Sequence, residues 1–156
     1  IAACLLTTPP AEASDAFGLR EKDRIAIFHA EGAQIYQCQR GSGGSLHWKF
    51  LEPIASLFDG SRSVGRHYAG PSWELADGAV VRGQAIAQAP SGSESAVPHL
   101  LLNVTSPEGR SIAEAKTIVR LNTKGGVAPQ QCSEPGAFLS VPYSADYAFY
   151  TSSLSE

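Results

Sequence analysis

The chain has 156 residues, a net charge of −3 and a charged fraction of 17%, low for a globular protein. Its lysines and arginines are scattered singly, so the basic footprint of a nucleic-acid binder is missing, and no apolar run is long enough to span a bilayer as a helix. The 15 glycines and 10 prolines point to many turns and short strands, and the length fits one domain able to bury a core of its own.

Residues 1–24 read as a signal-peptide remnant and linker, and residues 25–156 as a single β-rich domain. The N-terminal segment supports three readings. Ala11-Glu12-Ala13 is an A-x-A site with cleavage before Ser14. Ile1-Ala2-Ala3-Cys4 resembles a bacterial lipobox, which would put a lipid anchor on Cys4. The third reading is a plain apolar start of a cytosolic protein. The first two place the mature protein outside the cytoplasm, whether periplasmic, secreted or lipid-anchored.

The pattern then turns to strands. Ile25 to His29 and Ala33 to Gln39 read as two strands joined at Glu31-Gly32, a hairpin; in the second, Tyr36 and Cys38 share a face. After a Gly-Ser loop, Leu46 to Leu51 is a third strand with Leu46, Trp48 and Phe50 on one side, ended by Pro53. Ile54 to Phe58 is a short strand stopped at Asp59-Gly60. Val64 to Tyr68 follows, broken by Gly70-Pro71. Ser72 to Leu75 and Ala79 to Ala87 face each other across Asp77-Gly78, a pair suited to a type I′ turn. Pro98 to Val104 is strongly apolar, Pro107 to Arg110 is a turn, and Ile112 to Ala115 is a short helix or strand. Thr117 to Thr123 and two tyrosine-rich pieces within Val141 to Tyr150 complete the series.

Roughly eight to eleven short strands without an amphipathic helix predict an all-β chain, a single antiparallel β-sandwich or barrel. With Cys4 assigned to the leader, Cys38 and Cys132 remain. An even pair in an exported domain points to one disulfide; the alternative is two unrelated buried thiols.

Several stretches in order resemble a known family. They are Gly32 to Cys38, Trp48 to Phe50, Pro53 to Leu57, Val64 to Glu74, Asp77 to Gly83, Ile118 to Pro129, Cys132 and Val141 to Tyr150. Together they are similar to the domain of unknown function 3455 family, found in exported proteins of bacteria and fungi. The resemblance covers Gly32 to Tyr150 and departs from the family pattern at Ala79 and His99. It implies an exported β-rich domain with a Cys38–Cys132 bridge, and it implies no reaction. Some members carry a malate dehydrogenase label, which the residues here oppose. A dinucleotide site needs G-x-G-x-x-G between a strand and a helix. Gly41-Ser42-Gly43-Gly44-Ser45-Leu46 has Leu46 at the last glycine, and a strand follows it.

The chemistry-bearing residues concentrate in His67 to Gly78. The ligand-binding candidates are His67, Tyr68, Trp73, Glu74 and Asp77, with Trp73 and Glu74 on opposite faces of their strand. Tyr143, Tyr147 and Tyr150 are further aromatic candidates, suited to a carbohydrate or cell-envelope surface. The histidines form no HxH or HxxxH pair, so a metal site would need ligands converging from separate strands; copper or zinc on His67 with a carboxylate helper is that reading. No G-x-S-x-G elbow is present, and no cofactor is predicted. The expected function is a non-enzymatic binding or cell-envelope protein for a small molecule or glycan. The alternative is a metal-binding protein or metal-dependent enzyme using His67.

Overall fold

The computed structural model of the protein describes residues 17–108 and 111–154. Among them, eight antiparallel strands close into a barrel in plain sequence order. The strands are β1 (Arg24–Arg40), β2 (Leu46–Asp59), β3 (Arg62–Tyr68), β4 (Ser72–Leu75), β5 (Val80–Ala89), β6 (His99–Glu108), β7 (Thr117–Gly125) and β8 (Phe138–Tyr150), with β8 pairing back onto β1. Of the two all-β architectures expected, the barrel is the one formed. Closure leaves the sheet with no first or last strand, which removes the edge that an open sheet exposes to aggregation. No helix among the described residues is long and apolar enough to cross a membrane. The A-x-A site before Ser14 and the lipobox at Cys4 lie outside the described residues.

Side-chain alternation decides what fills the barrel. Along β1 the inner positions are Phe28, Ala30, Gln34, Tyr36 and Cys38; across the register they meet Leu57, Ala55 and Phe50 of β2 and Tyr143 to Phe149 of β8. His67 of β3 sits opposite Trp73 of β4, and Arg120 of β7 sits between Leu100 of β6 and Tyr147 of β8. The outer face of β6 to β8 is not left to water either. Leu19 packs there with Leu101, Val119, Leu121, Ala148 and Tyr150, forming a second apolar cluster outside the barrel.

The structure merges elements that the sequence reading separates. Gly32 is not a hairpin turn: β1 runs through it without a break. A Cβ at this position would lie 2.0 Å from the carbonyl oxygen of Ile54 and 2.5 Å from the Cα of Ala55. The glycine therefore permits a close approach of two strands rather than a reversal. Pro53 likewise does not end a strand. It lies inside β2, two residues past a register shift at which Leu51 is the extra residue, so the missing N–H falls beside a bulge. The two tyrosine-rich pieces are one strand, β8. Pro107 and Glu108 end β6 rather than forming a turn, and the remainder of that expected turn lies outside the described residues. Ser111–Glu114 is a single 3₁₀ turn. The Asp77-Gly78 hairpin is present but is not type I′. Among these residues only Gly78 has positive φ (95°), and paired hydrogen bonds Gly78 N–H to Leu75 C=O and Leu75 N–H to Ala79 C=O close a three-residue loop.

Cys38 and Cys132 form the disulfide, with Cα atoms 5.9 Å apart and a sequence separation of 94. It ties the inner face of β1 near its end to the β7–β8 loop. The main-chain bonds Cys38 N–H to Ala137 C=O and Gly136 N–H to Cys38 C=O hold the same junction.

Candidate ligand cavity

The strands differ greatly in length, and this shapes the interior. β1, β2 and β8 have 17, 14 and 13 residues, whereas β3 and β4 have 7 and 4. The β3–β4 hairpin ends at Ala69-Gly70-Pro71, where the Gly70-Pro71 peptide is cis. Above this low stretch of wall lies a cavity of about 260 Å³. Its rim is exposed and apolar: Phe50 (47% exposed) and the bulged Leu51 from β2, Ala69 and Gly70 from the turn, and Ala85 from β5. Its floor is buried: Gln34, His67, Trp73, Leu102 and Tyr147, with half-buried Leu100 and Arg120 on the side wall.

His67 is 3% exposed and sandwiched by aromatics. Its ring stacks on Trp73 at 4.6 Å and meets Tyr147 at 4.8 Å. Nδ1 lies 2.8 Å from the carbonyl oxygen of Ser72. A carbonyl only accepts, so Nδ1 must carry the proton and donate it. In the neutral ring Nε2 is then a bare acceptor. Burial lowers the His67 pKa to about 4, against the smaller opposing effect of the Ser72 carbonyl, and nearby Arg120 pushes the same way as burial. At neutral pH this imidazole is uncharged, and it presents a lone pair rather than a positive charge.

The other polar groups of the floor are incompletely satisfied from within the protein. Gln34 is 2% exposed, and its Oε1 has no hydrogen-bond partner. The Nε1–H of Trp73, a residue wholly removed from solvent, has none either. Such groups are uncommon in folded proteins because each forfeits its bonds to water. Tyr147 fares better, its hydroxyl lying 3.1 Å from that of Tyr143, so that one of the two donates to the other, and also accepting from Arg120; burial raises the pKa of both phenols, so they stay protonated. Arg120 spends Nε on the carbonyl oxygen of Pro98 at 3.0 Å. It has no carboxylate partner among the described residues, and no Asp or Glu lines the cavity.

The sequence candidates divide between the two faces of the β3–β4 hairpin. His67 and Trp73 line the cavity. Tyr68 and Glu74 do not: they lie outside with Arg66. There Arg66 Nε bonds Glu74 at 2.7 Å, the Tyr68 hydroxyl donates to Glu74 at 3.2 Å, and the guanidinium covers the Tyr68 ring at 4.5 Å. Arg66 and the Tyr68 hydroxyl hold the Glu74 carboxyl below its ordinary pKa. Asp77 sits in the β4–β5 turn, where its Oδ1 accepts from the N–H of Ala79 at 2.9 Å. Tyr143 and Tyr150 are buried, the first inside the barrel and the second in the outer cluster. Among the described residues no group of three or more His, Cys, Asp or Glu is placed to hold a metal ion. The sequence reading misses Gln34 and Arg120 as cavity residues. The signal for both was their inward register, which becomes visible only once neighbouring strands are paired.

These features define an antiparallel eight-stranded barrel with one end hollowed beside an apolar rim, an architecture whose interior either fills with side chains or holds one small ligand. The chain belongs to the family described as Protein of unknown function (DUF3455), whose model matches residues 20–151. No curated protein and no solved structure matches it.

Proposed function

We propose that this protein acts outside the cytoplasm as a non-enzymatic binding protein and holds a small molecule in the barrel cavity. The observation that carries this reading is the floor of the cavity. Two buried polar atoms, Gln34 Oε1 and Trp73 Nε1, lack partners among the described residues and belong to residues lining a hollow with an exposed apolar rim. Concave, mostly apolar sites with a few fixed polar groups are how proteins hold small ligands. Among the described residues the lining has no Ser, Thr, Cys, Asp or Glu, which favours binding over hydrolysis. The Cys38–Cys132 bridge supports an oxidising compartment.

The test is to purify the native protein from its host, identify co-purified small molecules by native mass spectrometry, and repeat this with Ala85→Trp. Ala85 is exposed at the rim, so an indole there plugs the mouth without disturbing the core. A one-to-one adduct in the wild type, lost in Ala85→Trp at unchanged melting temperature, is expected. Equal retention in both overturns the cavity as the site.

A further inference from the structure

The geometry points to a monoanionic apolar carboxylate, of roughly ten non-hydrogen atoms, as the ligand class of the cavity, with Arg120 as the residue that receives its carboxylate. This deepens the cavity reading and rests on it. The inward placement of Arg120 is unusual, because a cation inside a barrel costs desolvation energy unless a charge offsets it. Here no carboxylate of the described residues does so. Its Nε is already engaged with the Pro98 carbonyl, which fixes the plane of the guanidinium. The terminal nitrogens carry four further N–H donors; the Tyr147 hydroxyl takes up one of them, and those left over span a spacing that matches the two oxygens of a carboxylate.

The charge count selects among anions. Among the described residues, Arg120 is the only cationic side chain lining the cavity, since His67 is neutral there. A dianionic phosphate would bring a second, unmatched charge into a low-dielectric site, whereas a carboxylate leaves none. Trp73, whose N–H has no partner among the described residues, lines the same hollow. The apolar remainder of the ligand would lie against Phe50, Leu51 and Leu102. Size follows from volume: about 260 Å³ equals roughly nine waters at about 30 Å³ each, so the ligand has roughly ten heavy atoms.

The experiment compares 3-phenylpropionate with its neutral isostere 3-phenylpropionamide by isothermal titration, on the wild type, Arg120→Gln and Arg120→Lys, with melting temperatures recorded alongside. The expected result is that the acid binds the wild type at least about tenfold tighter than the amide. Arg120→Gln should remove that preference and leave amide affinity within about threefold, and Arg120→Lys should restore part of it. Equal binding of acid and amide to the wild type overturns the carboxylate assignment and leaves the cavity reading standing. Binding of neither overturns both. If Arg120→Gln fails to fold, because the Pro98 bond is lost, the wild-type ratio and the lysine variant decide alone.

Discussion

The β3–β4 hairpin has two faces built from alternating residues of the same two short strands, and they obey opposite rules. Inside, His67 and Trp73 are removed from water and stack on each other, and the Trp73 N–H is left without a partner among the described residues. Outside, Arg66, Tyr68 and Glu74 satisfy one another in a half-exposed ion pair and ring contact. Shifting by one residue thus exchanges a site for a solvated surface. The outer cluster contains more charge and looks more like a functional constellation in sequence, yet it is complete in itself. The inner pair is poorer in charge and incomplete, and incompleteness is what a ligand would answer.

The largest expected contrast is in stability. Trp73→Ala should cost about 3–5 kcal/mol, because a fully buried indole leaves a void that its neighbours fill only in part. Glu74→Ala should barely move the midpoint, as loss of an exposed surface pair does. Urea denaturation of both variants measures the difference, and similar midpoints would break the contrast. The same alternation runs along β1. Cys38→Ser, at a buried inner position, should lose about 2–4 kcal/mol under oxidising conditions by releasing a 94-residue loop. Gln37→Ala, its outward neighbour, should stay within about 0.5 kcal/mol.

A pH series sharpens the comparison through two histidines. His67 is held near pKa 4 by burial, whereas an unfolded histidine titrates near 6.5. Between those values the unfolded chain binds the extra proton, so stability is full above about pH 6.5 and falls toward pH 4, by at most about 3 kcal/mol. His29, on the outer face, is raised by Glu31 at 2.8 Å and by Asp146 at 2.8 Å. Its contribution has the opposite sign. It is present below about pH 6.5 and is lost as pH rises through the raised value. Melting curves from pH 4 to 8 should show the acid-side slope flattened in His67→Gln and retained in His29→Gln, with only a small loss in the latter because that pair is exposed.

Much of this was legible in the chain. Trp73 and Glu74 do take opposite faces, the Cys38–Cys132 pair does close, and the strand-rich reading holds. What was hidden has physical causes. Gly32 and Pro53 read as breakers because local propensity cannot register a close strand approach or a bulge that accommodates each within a long strand. Arg120 was hidden for a subtler reason. Its neighbours Ile118 and Val119 are both fully buried, one in the barrel and one under Leu19. With apolar residues on both faces, β7 has no polar side to reveal which way the arginine points. Gln34 was ambiguous because an inward glutamine breaks the usual apolar alternation that assigns a face.

The most direct test of the account is the indole N–H resonance of Trp73 during titration with 3-phenylpropionate. The chain has only two tryptophans, so a Trp73→Phe spectrum assigns the signal. The account predicts a large, saturable shift of the Trp73 indole, with backbone amides at Gln34, His67 and Arg120 moving along with it and those of Tyr68 and Glu74 moving less. A Trp73 indole that does not move while amides of the outer cluster do would contradict it.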